Sequence, residues 1–279
     1  MLTVRTNMAA ISSINQLGRT QGALSSSLEK ISSGMRINKA SDDAAGLGVA
    51  TRMDSDNTSL KQAMRNTNDG ISMIQTAEGS LNELSNILVR MRELSVQASN
   101  ETYDTDDRTM IQTEMEQLQL EYNRIVTTAN FNRKSLLNSS DTSFDIQVGI
   151  NTHSDSRISI DLSDINASQG AVGLTFSGGI ASAGNLTKAR TNIDAIDDAI
   201  TAISTRRATL GAIQNRMENA LNEASNYSQN LSSSASQIRD VDYASESANM
   251  TRYQIQQQAG VAALAQAKSM PQSIISLLS

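Results

Sequence analysis

The 279-residue chain has no cysteine, no tryptophan, one proline (Pro271), one histidine (His153) and only 3% aromatic residues. Without cysteine, disulfides, thiolate metal sites and thiol nucleophiles are excluded, and the chain can change redox compartment without cross-linking. Scarce proline leaves long helices uninterrupted, and scarce aromatics remove the largest core fillers. Positive charge is also short. The 23 Lys and Arg against 29 Asp and Glu leave a net charge of -6, so the chain lacks the basic face that displaces counterions from nucleic acid. No apolar run approaches the roughly 20 residues needed to span a bilayer, and Met1–Leu17 has no signal-peptide centre. The expectation is no cofactor, no nucleic-acid partner and no membrane partner.

What is present is helical periodicity at both ends. Val4, Met8, Ile11, Ile14, Leu24, Leu28 and Ile31 fall near one stripe, which ends at Ser32, Ser33 and Gly34. The stretch Ile31–Met53, ISSGMRINKASDDAAGLGVATRM, is rich in Gly, Ser and Asp and reads as a connector. From about Asp54 a helix is predicted through Leu60, Met64, Ile71, Ile74, Leu81, Leu84, Leu88 and Met91. After a break at 101–105, Asp104 starts another helix with Ile111, Met115, Leu118, Tyr122 and Ile125. The period then changes to two. Phe144, Ile146, Val148 and Ile150 alternate with polar residues, as do Ile158, Ile160 and Leu162, which predicts a β-hairpin. Ser163–Asn185 is glycine-rich and aperiodic, and from Leu186 a seam runs through Ile193, Ile196, Ile200, Ile203, Leu210, Met217, Leu221 and Leu231. The fold class is mainly α: an elongated antiparallel bundle or coiled coil of long helices with a small hairpin insert. Neither end can bury its stripe alone, so each needs the other or another copy.

Catalytic readings fare poorly. His153 sits on the expected hairpin turn with no companion base or metal ligand nearby in sequence, and reads as a surface residue. Ser41, Asp42 and Asp43 read as helix capping with acidic residues in the first turn. Gly46 and Gly48 follow no strand and lack the third glycine of a dinucleotide loop. The twelve methionines mostly fall on helical stripes, where flexible gap filling explains them.

Two ordered blocks carry a family resemblance. Ile31–Met53, NDGISMIQTAEGSL at Asn68–Leu81 and VRMRELSVQASN at Val89–Asn100 resemble the N-terminal region of bacterial flagellin. NLSSSASQIRDVDYASESANMTRYQIQQQAG from Asn230, followed by VAALAQAKSMPQSIISLL to Leu278, resembles its C-terminal region. Local departures are the terminal Ser279, where many relatives are basic, Lys268 at an Asn-like position and Arg5 near the start. A hook-filament junction protein shares such termini but lacks a matching 90–100 block; a coiled-coil adaptor would explain heptads but not paired terminal motifs.

The resemblance implies a non-enzymatic, extracellular filament subunit of a slim, core-only type. Its implied partners are other copies of itself, an export chaperone, the type III export apparatus, filament-cap and hook-junction proteins, and a host Toll-like receptor. It divides the chain into an inner core domain (1–40 with 236–279), an outer helical domain (41–138 with 186–235) and an insert (139–185). Met8, Ile11, Leu24, Leu28, Val261, Leu264, Ile275 and Leu278 are then candidates for inner-layer assembly. The expected intrachain core is Leu84, Leu88, Met91, Ile111, Leu118, Ile125, Ile196, Ile203, Leu210, Met217 and Leu221. Arg90, Leu94 and Glu114 match positions that contact the receptor in related flagellins, although Val89 departs from the Gln common in receptor-activating ones.

Overall fold

The computed structural model describes residues 7–138, 143–161, 163–172 and 186–278, with side chains up to 269 and, in the last stretch, from 189. Among these residues, five α-helices, one 3-10 turn and two small hairpins follow in the order α1 Met8–Ser33, α2 Ala44–Ala98, α3 Thr105–Thr128, β1 Asn130–Phe131, β2 Lys134–Ser135, β3 Ser143–Gln147, the turn Ser154–Ser156, β4 Arg157–Asp161, α4 Leu186–Arg239 and α5 Tyr243–Leu278. The chain divides into two compact units, 1–57 with 229–279 and 58–228.

In the first unit, α1 and α5 pack side by side. Asn7 caps α1 by accepting from the Ala10 amide, and Gly34 ends it at φ 72°, a left-handed cap that glycine adopts without Cβ strain. The following turn is clasped to the α4–α5 link. Met35 bridges Asp240, the Arg36 amide donates to the Arg239 carbonyl at 2.6 Å, and the Val241 amide donates to the Gly34 carbonyl at 3.0 Å. Arg36 also donates to the Ile238 carbonyl near the end of α4, satisfying an acceptor with no helical partner. Asp42 accepts from the Asn38 and Lys39 amides, which holds its carboxyl below the ordinary range.

The helix expected from about Asp54 begins ten residues earlier, at Ala44. The cap is Asp43, whose Oδ1 accepts from the Gly46 amide at 2.9 Å, and not Ser41. That N-cap, worth about 1 kcal/mol, offsets part of the penalty of about 1 kcal/mol for each of Gly46 and Gly48.

In the second unit, α2, α3 and α4 surround one apolar core. Leu84, Leu88, Met91, Met115, Tyr122, Ile196, Ile203, Leu210 and Met217 have no exposed surface. A reciprocal capping box of Asp104 and Asp107 starts α3. The predicted hairpin is β3–β4, with Phe144 opposite Ile160 and Ile146 opposite Ile158. Gly70 lets α2 approach both α4 and this hairpin, since a Cβ there would lie 3.1 Å from Met217 Cε and 3.3 Å from Ile146 Cγ1. A second, shorter hairpin, β1–β2, turns on Asn132 and Arg133, both with positive φ. Lys134 from it lies over the Phe144 ring at 4.6 Å. Segment 163–172 closes the core by inserting Ile165, Ala167 and Val172. Arg206 holds it, donating to the Asn166 and Ala171 carbonyls at 2.9 and 3.0 Å, and Tyr122 Oη donates to the Ala167 carbonyl at 2.8 Å.

Candidate assembly surface

The α1–α5 pair is antiparallel, and four contacts fix one register. The Asn7 side-chain amide donates to the Ala267 carbonyl at 2.7 Å. A Cβ on Gly260 would sit 3.4 Å from Leu17 Cδ1. Gln257 Nε2 donates to Gln21 Oε1 at 2.5 Å, and Ser27 Oγ donates to Glu246 Oε1. The face turned inward on α1 is Asn7, Ala10, Leu17, Thr20, Leu24 and Ser27; on α5 it is Glu246, Met250, Tyr253, Gln257, Gly260, Leu264 and Ala267. It mixes small and polar residues with larger ones, of which only Leu24, at 7% exposure, is buried.

The larger apolar side chains point elsewhere. Met8 is 66% exposed and Ile255 61%, and Ile11, Ile14, Leu28 and Val261 are each at least 44% exposed. Of the assembly candidates, the structure therefore turns Leu24 inward, leaves Leu264 half-buried, and exposes Met8, Ile11, Leu28 and Val261. The side chains of Ile275 and Leu278 lie outside the described residues. Ile255 and Tyr243, which no stripe singled out, are also exposed.

Of the core candidates, Leu84, Leu88, Met91, Ile196, Ile203, Leu210 and Met217 are fully buried and Ile111 is nearly so. Leu118, Ile125 and Leu221 are only half-buried. The deepest line of α3 is Ile111, Met115, Tyr122 and Val126, so Leu118 and Ile125 flank it. Leu136 and Leu137, at most 1% exposed, complete the core from a loop too short to show any period.

Arg90 and Glu114 meet on the surface. Arg90 Nε and Nη2 donate to Glu114 Oε1 at 3.0 and 2.7 Å, and Nη1 donates to Glu93 Oε2 at 3.0 Å. These bonds, that to Glu114 foremost, raise the Arg90 pKa. Both side chains remain about half exposed. Leu94 is 2% exposed and belongs to the core. A second pair, Arg92 Nε to Asp197 Oδ1 at 2.5 Å, ties α2 to α4.

Among the described residues no three His, Cys, Asp or Glu side chains gather as a metal site. No described helix is long and apolar enough to cross a membrane.

Comparison with known proteins matches this arrangement at both ends. Residues 4–142 match the bacterial flagellin N-terminal helical region and residues 193–278 the bacterial flagellin C-terminal helical region. The chain is 41% identical to a flagellin of Halalkalibacterium halodurans, covering 99% of this chain and all of that one. It is 38% identical to the flagellar filament 33 kDa core protein of Treponema phagedenis, again over 99% of this chain and all of the relative. A structure described as a flagellar hook-associated protein from Vibrio parahaemolyticus shares the fold at a TM-score of 0.61 and 13% identity, covering 71% of this chain and all of that one. With both terminal regions matched and relatives aligned end to end, the chain belongs to the bacterial flagellins.

Proposed function

We propose that this flagellin, a structural subunit of the flagellar filament, joins neighbouring copies through the outward apolar residues of α1 and α5. One observation carries the reading: Met8, Ile11, Ile14, Leu28, Ile255 and Val261 are exposed on a helix pair whose own seam leaves them uncovered. Covering a Leu, Ile, Val or Met side chain contributes about 1.5–3 kcal/mol. Head-to-tail contacts that do not close generate an open polymer. In this reading 1–40 with 236–279 form the assembly domain, 41–138 with 186–235 the separately folded helical domain, and 139–185 the insert. Purified chain seeded with filament fragments should grow micrometre-long polymers, and Ile11→Ser with Ile255→Ser should abolish growth while residues 58–228 stay folded. A wild-type chain that stays a stable dimer and ignores seeds would favour an adaptor instead.

Export follows from this role. The chain leaves the cell through the type III apparatus with a chaperone on its C-terminal region, and meets hook-junction and cap proteins at the filament ends. Absence of cysteine and a helix pair with little apolar glue support passage in an unfolded form. Deleting Tyr243–Ser279 should then abolish chaperone capture and export together; export without that segment would sink this part. Arg90 and Glu114 present one charged, half-exposed cluster to a host Toll-like receptor. Receptor-reporter signalling from monomer should fall in Arg90→Ala, and an undiminished response would remove the assignment.

A further inference from the structure

Among the described residues, three side-chain hydrogen bonds join α1 to α5, one at each end of the seam and an exposed one, Gln257 to Gln21, between them, and one of the end bonds answers a defect in the helix. Pro271 lies within α5 and has no backbone N–H. The carbonyl four residues earlier, that of Ala267, therefore lacks its helical donor. Asn7 supplies one through its side-chain amide at 2.7 Å. At the far end Ser27, 2% exposed, donates to Glu246. Between these ends the inward residues are Ala10, Leu17, Thr20 and Leu24 against Met250, Tyr253, Gln257, Gly260 and Leu264. The exposed Gln21–Gln257 bond can be exchanged for water, and after a slip of two turns Leu17 meets Tyr253 or Ala267 in place of Gly260, so a sliding helix regains apolar contact.

We propose that Asn7 and Ser27 are positioning residues that set the α1–α5 register, by donating to the Ala267 carbonyl freed by Pro271 and to the Glu246 carboxylate. A buried polar group fixes register because every wrong alignment strands it, whereas apolar packing tolerates several. Ala267 is 8% exposed, so its carbonyl after a slip is poorly placed to find water. The register also sets the outer face. Leu17 opposite Gly260 puts Ile14 and Val261 at nearly the same height along the pair. A seven-residue slip displaces them by about 10 Å. The inference rests on the assembly reading above in this last step only.

The test uses the absence of cysteine. In the full-length chain, Gln21→Cys with Gln257→Cys reports the native register, while Gln21→Cys with Met250→Cys or with Leu264→Cys reports a slip of two turns either way. Each pair is treated with a short thiol-to-thiol cross-linker and scored by gel mobility. The decisive background is Asn7→Asp with Ser27→Ala. Aspartate keeps the α1 N-cap, since its carboxylate still accepts from the Ala10 amide, but it cannot donate to Ala267. Pro271→Ala is the second background; it returns an N–H to the Ala267 carbonyl and removes a helix breaker, so it improves the helix while taking the acceptor from Asn7. In the otherwise native chain only the native pair should cross-link. In both backgrounds the slipped pairs should rise about tenfold or more relative to the native pair, the factor that about 1.4 kcal/mol represents. Asn7→Gln with Ser27→Thr, which keeps both donors, should restore the native pattern. Native-only cross-linking in Asn7→Asp with Ser27→Ala overturns the proposal, as do slipped products of equal yield in the otherwise native chain. Seeded pelleting of the same proteins separates the two readings: slipped cross-links with undiminished polymer would uphold the register role and refute assembly through the outer face.

Discussion

Replacing Tyr122 with phenylalanine deletes one oxygen from a fully buried ring. That oxygen donates to the Ala167 carbonyl at 2.8 Å, and neither residue has exposed surface. Packing is nearly unchanged, so the cost is that of a buried acceptor left without its donor, about 1–3 kcal/mol. The same burial pushes the Tyr122 pKa well above its ordinary value near 10. A raised folded pKa means that the stabilisation is complete below pH 10 and is lost as pH rises from there towards the folded value. At pH 11 an unfolded tyrosine is about nine-tenths ionised, which favours the unfolded wild type by about 1.4 kcal/mol. Phenylalanine does not ionise. The loss caused by Tyr122→Phe should therefore shrink from about 1–3 kcal/mol at pH 7 to about 0–1.5 kcal/mol at pH 11. Urea unfolding of monomer followed by circular dichroism at the two pH values measures it. A variant as stable as wild type at pH 7, or a difference that does not fall by pH 11, would refute the reasoning.

Three further outcomes follow from the same structure. Met115→Ala, at a position with no exposed surface, should cost about 2–5 kcal/mol, and Leu118→Ala, half-buried, about half as much; a reversed order in urea titrations would mean α3 is rotated. Gly34→Ala forces a side chain into φ 72° with its Cβ 3.1 Å from Tyr243 Oη, and should destabilise the 1–57 and 229–279 unit by about 1–2 kcal/mol. Faster hydrogen exchange at the Val241 amide reports it, and unchanged exchange would contradict it. The lowered pKa values of Asp42 and Glu29, held by the Lys39 and Asn38 amides and by Lys39 Nζ respectively, mean that the 34–43 turn keeps this support above about pH 4 and loses it as pH falls lower. Protection of the Asn38 and Lys39 amides, taken as exchange relative to the intrinsic rate at each pH, should fall on acidification below about pH 4 in wild type and show no such pH dependence in Asp42→Asn.

Periodicity revealed the helices and the β3–β4 hairpin because both leave a repeat longer than the local noise. It missed the ten residues from Ala44 because Gly46 and Gly48 mask a cap that one Asp43 hydrogen bond creates. It missed β1–β2 because the strands are two residues long and the turn is Asn132-Arg133 without glycine. Its least legible feature was partner choice. A stripe of Met8, Ile11 and Ile14 shows that a face is apolar but not whether its partner lies in the same chain, and here α5 takes the neighbouring face of Asn7, Ala10 and Thr20 instead. Leu94 shows the same limit, since its place in a surface motif did not reveal that its side chain turns into the core.

Arg206 and Tyr122 seal the core of residues 58–228 by holding the segment that carries Ile165, Ala167 and Val172 through its backbone carbonyls. A latch made to main-chain oxygens reads position and not side-chain identity, so Asn166 and Ala171 can change type and still be held, whereas Arg206 and Tyr122 cannot change without letting go. Sequence drift is thereby permitted on the held side of the latch and forbidden on the holding side.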